Sequence, residues 1–342
     1  MFPYVTAFLI SLVITYAITP EIKKLAMKVG AVDRPNARKV HTHIVPRLGG
    51  LAIYIGFVIA VLFSVGMTRE VVGLLIGSTT IVAVGIWDDI CQIPAKVKLC
   101  GQIAAALVLV GFGIQIDWLT NPFGDLIFLP WFFAIPLTVF WVIGFTNTVN
   151  LIDGLDGLAA GVSIIASISV FFMALSMGQS EPALITIALI GAAFGFLQYN
   201  FNPAKIFMGD TGSMLLGYVM AAVSIIGVVK TAATVALVVP VIALGLPIMD
   251  TLFAIARRRM SGVPIFQPDK GHLHHRLLAL GFSQRQAVLS MYCVSVFLGF
   301  LALFVASVNY QIGTIAVLIV LALGIYTGKR LGILNKMDST SK

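Results

Sequence analysis

The sequence predicts an all-α integral membrane protein of about eleven transmembrane helices, with its N-terminus outside and its C-terminus cytoplasmic. Three observations predict it. Hydrophobic residues make up 59% of the chain against 11% charged, and the mean hydropathy is +1.02, far from the balance of water-soluble domains. The apolar residues fall in runs close to the roughly 20 residues that a helix needs to cross about 30 Å of hydrocarbon. The cations gather in alternate loops, as the positive-inside rule requires.

The elements follow in order. Residues 2–20 form an apolar run with no basic segment before it and no small-residue cleavage site, which predicts a retained helix rather than a leader. The basic loop 20–47 leads to spans at 48–68 and 71–87, joined by a short turn at Arg69 and Glu70. Loop 88–98 leads to spans 99–116 and 126–145, loop 146–158 to spans 159–179 and 182–199, and loop 200–211 to spans 212–229 and 231–249. The long loop 257–285 precedes the last two spans, 286–306 and 311–328. With this alternation only Arg69 and Lys230 of the 22 Lys and Arg fall on the outer side, and a miscount by one span would scatter the basic loops over both. The net charge of +8 is therefore a topology signal and asks for no nucleic acid. Lys23, Lys24, Lys28, Arg257, Arg258, Arg259, Lys329 and Arg330 read as headgroup anchors. Cys91, Cys100 and Cys293 have no metal-ligand spacing. No linker or fixed-period repeat divides the chain, which reads as one membrane domain over 1–342.

The carboxylates need a separate account. GIWDDICQIPAKVK, residues 85–98, sets Asp88 and Asp89 at the end of a span with no cation within six residues, where the helix dipole repels anions. Asp153 and Asp156 lie in NTVNLIDGLDGLAAG and Asp210 in NFNPAKIFMGDTGS, each before a span. Helix N-capping would account for one aspartate per helix start, but not for Asp88 and Asp89, nor for a second aspartate in LIDGLDG. Five acidic residues on one membrane face repel one another unless a cation sits among them. Hard oxygen donors without Cys or His pairing favour Mg²⁺, or Mn²⁺, over zinc. The glycines of DGLDG and MGDTGS suggest close backbone approach to a phosphate, and the combination points to a metal-bound pyrophosphate.

All five histidines fall on the cytoplasmic side, His41 and His43 in RKVHTHIVPR and His272, His274 and His275 in PIFQPDKGHLHHRL with Lys270 and Arg276. Three histidines beside two cations suggest an anion site. Zinc is the weaker alternative, since it would need a fourth ligand and leave the carboxylates idle.

DRPNARKVHTHIVPRLGG, GIWDDICQIPAKVKLCGQ, TNTVNLIDGLDGLAAG, YNFNPAKIFMGDTGSMLLGY and PDKGHLHHRL together resemble the successive cytoplasmic loops of the polyprenyl-phosphate N-acetylhexosamine-1-phosphate transferases, in order and spacing from about residue 20 to 285. HLHHR after PDK resembles the bacterial members that begin wall teichoic acid, O-antigen or enterobacterial common antigen synthesis. The peptidoglycan translocase, with its three-histidine run and longer loop after the aspartate pair, is a poorer match. The resemblance implies a bacterial plasma-membrane enzyme that moves GlcNAc-1-phosphate from UDP-GlcNAc to undecaprenyl phosphate with Mg²⁺ and releases UMP, at a site facing the cytoplasm. UDP-MurNAc-pentapeptide or another UDP-HexNAc is the alternative donor, and a homodimer is expected by the same resemblance.

By motif position Asp210 resembles the family's metal ligand, and Asp88 and Asp89 the pair that binds metal and prepares the lipid phosphate. Phe207 and Asp156 match positions that hold uracil by stacking and hydrogen bonding, and Asn150, Asp153 and Asn200 match other polar positions of the nucleotide site. Lys98 with His272, His274, His275 and Arg276 would neutralise the phosphates. A phosphate monoester's second proton, with a pKa near about 6, is mostly off at neutral pH, which favours direct attack over a double displacement through Asp88. The rival from another class is an ion-coupled transporter, for which Asp250 in GLPIMDTLFAIARRR, inside a span, is the one candidate residue.

Overall fold

The computed structural model describes residues 2–35, 43–120, 126–231, 235–263, 271–308, 310–330 and 332–333. His41, Asp269 and Lys270 lie outside the described residues.

The chain is a helical bundle. Its helices are α1 (Phe2–Val29), α2 (Gly49–Ser64), α3 (Arg69–Cys91), α4 (Ala95–Gly111), α5 (Trp131–Ile152), α6 (Leu158–Ser176), α7 (Ser180–Asn200), α8 (Gly209–Thr231), α9 (Val235–Ala243), α10 (Gly245–Met260), α11 (Leu273–Ala279), α12 (Gln284–Ser307) and α13 (Tyr310–Arg330). Two small antiparallel hairpins join β1 (Val32–Asp33) to β2 (Val45–Pro46) and β3 (Trp118–Thr120) to β4 (Leu126–Phe128).

Among the described residues eight helices are long and apolar enough to cross a membrane, and nine if α9 and α10, bent by 74°, count as one span. The other two of the eleven apolar segments are also helical but short: α2 has 16 residues and α4 has 17, opening on Lys96 and Lys98. α2 ends four residues before its hydropathy run does, whereas α4 begins four residues before its run and ends five before the run's end. The expected span 126–145 is displaced toward the C-terminus. Residues 126–128 form β4, Pro130 caps the start of α5, and the helix continues to Ile152. Proline forces the residue before it away from helical geometry and is at home at a helix start.

α8 is the innermost helix, with every residue from Thr211 to Gly227 buried. It packs against α2, α3, α5, α6, α7 and α9. Small residues make this possible where apolar lipid offers helices no hydrophobic drive to associate. A Cβ at Gly50 would collide with the backbone of Gly212, and one at Gly85 with the backbone of Thr211. α2 and α3 therefore meet the first turn of α8 backbone to backbone.

Arg257 and Arg258, expected as headgroup anchors, are buried at 1% and 6% exposure. α10 runs to Met260, three residues past the start of the expected loop, and Arg257 donates to the Ile333 carbonyl at 2.6 Å. The anchoring expectation holds better for Lys23, Lys24, Lys28, Arg259, Lys329 and Arg330, which are exposed.

Candidate active site

Asp88 and Asp89 occupy the last turn of α3, as their sequence position predicts, but their surroundings differ. Asp89 is 3% exposed and turns onto the start of α8. One oxygen accepts the Asp210 N–H at 3.0 Å, and the other accepts the Thr211 N–H at 3.1 Å and the Thr211 hydroxyl at 2.6 Å. It thus caps the N-terminus of a helix that begins 120 residues later in the chain, satisfying donors that no residue of α8 itself reaches. Gly209, at φ +72°, supplies the left-handed turn and leaves room for that carboxylate, which a Cβ would strike.

Asp88 faces α4 instead. Lys98 Nζ lies 3.0 Å from Asp88 Oδ2 and also hydrogen-bonds Asp210, so one ammonium bridges two carboxylates from α3 and α8. Asn150, on α5 rather than in a loop, donates to Ser213 Oγ at 2.9 Å and stands beside Asp210.

Arg47 was not singled out by its sequence position. Its Nε and Nη2 donate to the carbonyls of Asp89 and Asp88, each at 3.1 Å, and Nε lies 3.7 Å from Asp89 Oδ1. A guanidinium here opposes the negative end of the α3 dipole and the adjacent carboxylates together. The signal in the sequence was a cation immediately before the Leu-Gly-Gly that opens a span. Arg47 is placed by pairing with the segment before α8: Phe207 N–H donates to the Pro46 carbonyl at 2.8 Å, and Gly49 N–H to the Phe207 carbonyl at 3.0 Å.

The N-capping alternative fails for all three remaining aspartates. Asp153 is the C-cap of α5, the start of α6 is capped by Gly157 without a side chain, and Asp210 sits inside the first turn that Asp89 caps. No described residue donates a hydrogen bond to the Asp153 carboxyl. Burial, followed by the charges of Asp210, Asp89 and Asp156, pushes it up to about 8. Asp156 Oδ2 accepts Asn202 Nδ2 and Ala204 N–H, each at 2.9 Å, and Asn202 also donates to Gln284 at the start of α12. Asn200 uses both ends of its amide as a strut, accepting from Gly157 N–H at 3.1 Å and donating to the Ile206 carbonyl at 3.0 Å. The two loops expected to meet the nucleotide are thereby tied to each other.

The glycines expected to approach a phosphate are packed closely against protein, and Gly154 and Gly209 also line a cleft. A Cβ at Gly154 would meet the ring of His274, and one at Gly212 would meet Met208 and Gly50. His274 is buried on this loop, which together with His275 and His272 pushes it down to about 3 against a smaller opposing effect of Asp250. It is a neutral imidazole near pH 7, and its buried Nδ1 has no partner among the described residues. The positive charge expected from HLHHR is thus carried by Arg276 and not by His274. Asp250, the basis of the transporter alternative, has a different occupation: it bonds His272 and the backbone of Leu273.

One cleft of about 360 Å³ collects Asp89, Asp153, Asp156, Asn200, Phe207, Asp210, His274 and His275, with Asp33, Arg47 and Gln284 as residues the sequence had not selected. Asp88, Lys98 and Asn150 border it through their bonds to Asp210 and Ser213. His272 and Arg276 are not on its wall. Five aspartates share the region with Lys98 and Arg47 in ion-pair range, and that all-oxygen, net anionic donor set suits a hard divalent cation. Among the described residues no three His, Cys, Asp or Glu side chains close into a metal cage. Such a cation would need phosphate oxygens to complete its shell, the usual habit of Mg²⁺. Asp89, expected as the second ligand, lines the cleft with both oxygens hydrogen-bonded by the start of α8, and Asp88 and Asp210 share Lys98.

Residues 71–228 match glycosyl transferase family 4. A probable undecaprenyl-phosphate N-acetylglucosaminyl 1-phosphate transferase of Bacillus subtilis is 47% identical over 296 residues, covering 86% of this chain and 82% of that protein. A decaprenyl-phosphate N-acetylglucosaminephosphotransferase of Mycolicibacterium smegmatis is 40% identical over 310 residues, 82% of this chain and 76% of that one. An undecaprenyl-phosphate alpha-N-acetylglucosaminyl 1-phosphate transferase of Escherichia coli is 30% identical over 274 residues, 78% of this chain and 74% of that one.

Proposed function

The chain belongs to glycosyl transferase family 4, and on that premise we propose that it transfers GlcNAc-1-phosphate from UDP-GlcNAc to undecaprenyl phosphate and releases UMP, at the cytoplasmic face of a bacterial plasma membrane. The relatives' names support transfer of the GlcNAc phosphate to a polyprenyl phosphate. The observation that carries the reading to named residues is the bridge Asp88–Lys98–Asp210 beside a cleft lined by Asp156 and Phe207. This arrangement supports a reacting-phosphate end at the bridge, beside a nucleoside end in the cleft.

In this reading an oxygen of the prenyl phosphate attacks the sugar-bearing phosphorus of the donor. The bond from that phosphorus to the bridging oxygen breaks, and UMP leaves with the electron pair. Phe207 offers a ring face for uracil. Asp156, steadied by Asn202 and Ala204, offers a carboxylate edge. Lys98 holds charge between Asp88 and Asp210 and is in reach of phosphates that enter there. Asp88 orients the lipid phosphate, whose second proton is already mostly lost at neutral pH, so no covalent enzyme intermediate is required. Asp210 and Asp88, with substrate phosphates, would hold Mg²⁺ or Mn²⁺, which when bound would supply charge neutralisation and polarisation of the transferred phosphoryl group. Asp89 contributes by fixing the start of α8 that carries Asp210.

The test is an assay of purified protein with labelled UDP-GlcNAc, UDP-GalNAc and UDP-MurNAc-pentapeptide against undecaprenyl phosphate, with and without EDTA. Lipid-linked product from UDP-GlcNAc, abolished by EDTA and restored by Mg²⁺, is the expected result. No product from any donor, with ion flux in proteoliposomes, would overturn it.

A further inference from the structure

α10 holds the segment before α11 at two points. Asp250 is 4% exposed; its Oδ2 lies 2.7 Å from His272 Nδ1, and its Oδ1 accepts the Leu273 N–H at 2.8 Å. Two helical turns later on the same face, the Arg257 guanidinium lies against Gly271, where a Cβ would strike it. Gly271, His272 and Leu273 are thus gripped in succession by one helix. The His272 ring is 7% exposed and stacks parallel to His274, with centroids 5.8 Å apart and planes at 8°, and His274 lies 4.2 Å from His275. His274 and His275 line the cleft, and His272 stands behind them.

A buried carboxylate is costly unless it is needed. Capping the Leu273 N–H alone would be served as well by Ser or Asn. What Asn cannot do is force the imidazole proton. An ionised carboxylate has only lone pairs, so opposite it His272 Nδ1 must carry the hydrogen between them, and a neutral ring so held has Nε2 unprotonated. Histidines whose orientation matters are held this way by a carboxylate behind them.

We propose that Asp250 and His272 form a positioning pair that fixes the tautomer and plane of His272, and through its stacked ring the placement of His274 and His275 at the cleft. Neither member touches substrate. Asp250 is then the buttress of the histidine loop, and its depth in the helix follows from that task.

For turnover the inference rests on the transferase reading, but its central claim can be read without substrate. Asp250→Asn keeps an acceptor for Leu273 and presents an amide N–H to His272 Nδ1, which reverses the tautomer while leaving the packing in place. Nitrogen NMR of histidine-labelled protein in nanodiscs, with the His272 signal assigned by its loss in His272→Asn, should show Nδ1–H in the wild type and Nε2–H in Asp250→Asn. Turnover should fall about tenfold or more, comparable with the loss when the carboxylate behind a metal-bound histidine is removed, with the donor KM little changed. Should Asp250→Asn fail to fold, His272→Asn keeps a donor to Asp250 but removes the ring behind His274, and the same loss of turnover is expected. An unchanged tautomer in Asp250→Asn, or wild-type turnover in either variant, would overturn the pair. Absence of transfer by the wild type would count against the transferase reading and leave the nitrogen spectra to decide the pair.

Discussion

Asp88 and Asp89 are neighbours in sequence with separate tasks in space. Asp89 accepts three hydrogen bonds from the start of α8, while Asp88 shares Lys98 with Asp210. Their asparagine variants should therefore separate. Asp89→Asn replaces one acceptor oxygen by a donor that faces another donor, at a cost of about 1–3 kcal/mol, and should lower the melting temperature in detergent as well as activity. Asp88→Asn leaves α8 capped and should retain its melting temperature while turnover falls about a hundredfold or more, as when a charge-organising group is lost from a reacting centre. Equal melting temperatures for the two variants would contradict the division. Asp153 makes a third prediction. Burial and neighbouring carboxylates raise its folded pKa from 3.8 to about 8. The stability this gives is fully present below the unfolded value and is lost as pH rises through about 8. Without divalent cation, Asp153→Asn should melt higher than wild type by a few degrees at pH 8 to 9, and the difference should shrink toward pH 4. Thermal melts in EDTA across that range check it, and a variant that melts lower at pH 9 would refute it.

At the scale of elements, the site depends on how closely α2, α3 and α8 approach one another. Gly50 and Gly85 place backbone against the first turn of α8, which is what brings Arg47, Asp89 and Asp210 into one cleft. Gly50→Ala should force α2 and α8 apart, with an overpacking cost of about 1–3 kcal/mol. It should lower both melting temperature and turnover, although the residue touches no substrate. Wild-type stability in that variant would mean the crossing is looser than described. α4 and α5 are joined by a reciprocal amide pair, Gln102 Nε2 to Asn147 Oδ1 at 3.1 Å and Asn147 Nδ2 to Gln102 Oε1 at 2.8 Å. Buried side-chain amides bind helices to one another in apolar surroundings, and this pair fixes the helices that bear Lys98 and Asn150.

For the whole molecule, the cleft gathers residues from segments that the basic loops assign to one membrane face. A cysteine placed within residues 271–285, in a background lacking the exposed Cys91, Cys100 and Cys293, should be labelled by an impermeant reagent only after the cytoplasmic side is opened. Labelling in intact cells would overturn the orientation and, with it, access of a nucleotide sugar to the cleft.

The class of the molecule, its helices and the cluster of aspartates were legible because hydropathy, cation asymmetry and charge motifs are properties of the chain in one dimension. Eight of the selected residues line one cleft because each motif stands at or beside a helix end. The ends of α2 and α4 were not legible, since a hydropathy run does not mark where a helix begins or unwinds. Nor were the cap that Asp89 forms 121 positions away, the bond of Arg47 to a carbonyl 42 positions away, or the attachment of Asp250 to His272. Only the tertiary structure decided these, because a hydrogen bond between distant segments depends on where the helices cross and leaves no local pattern in the sequence.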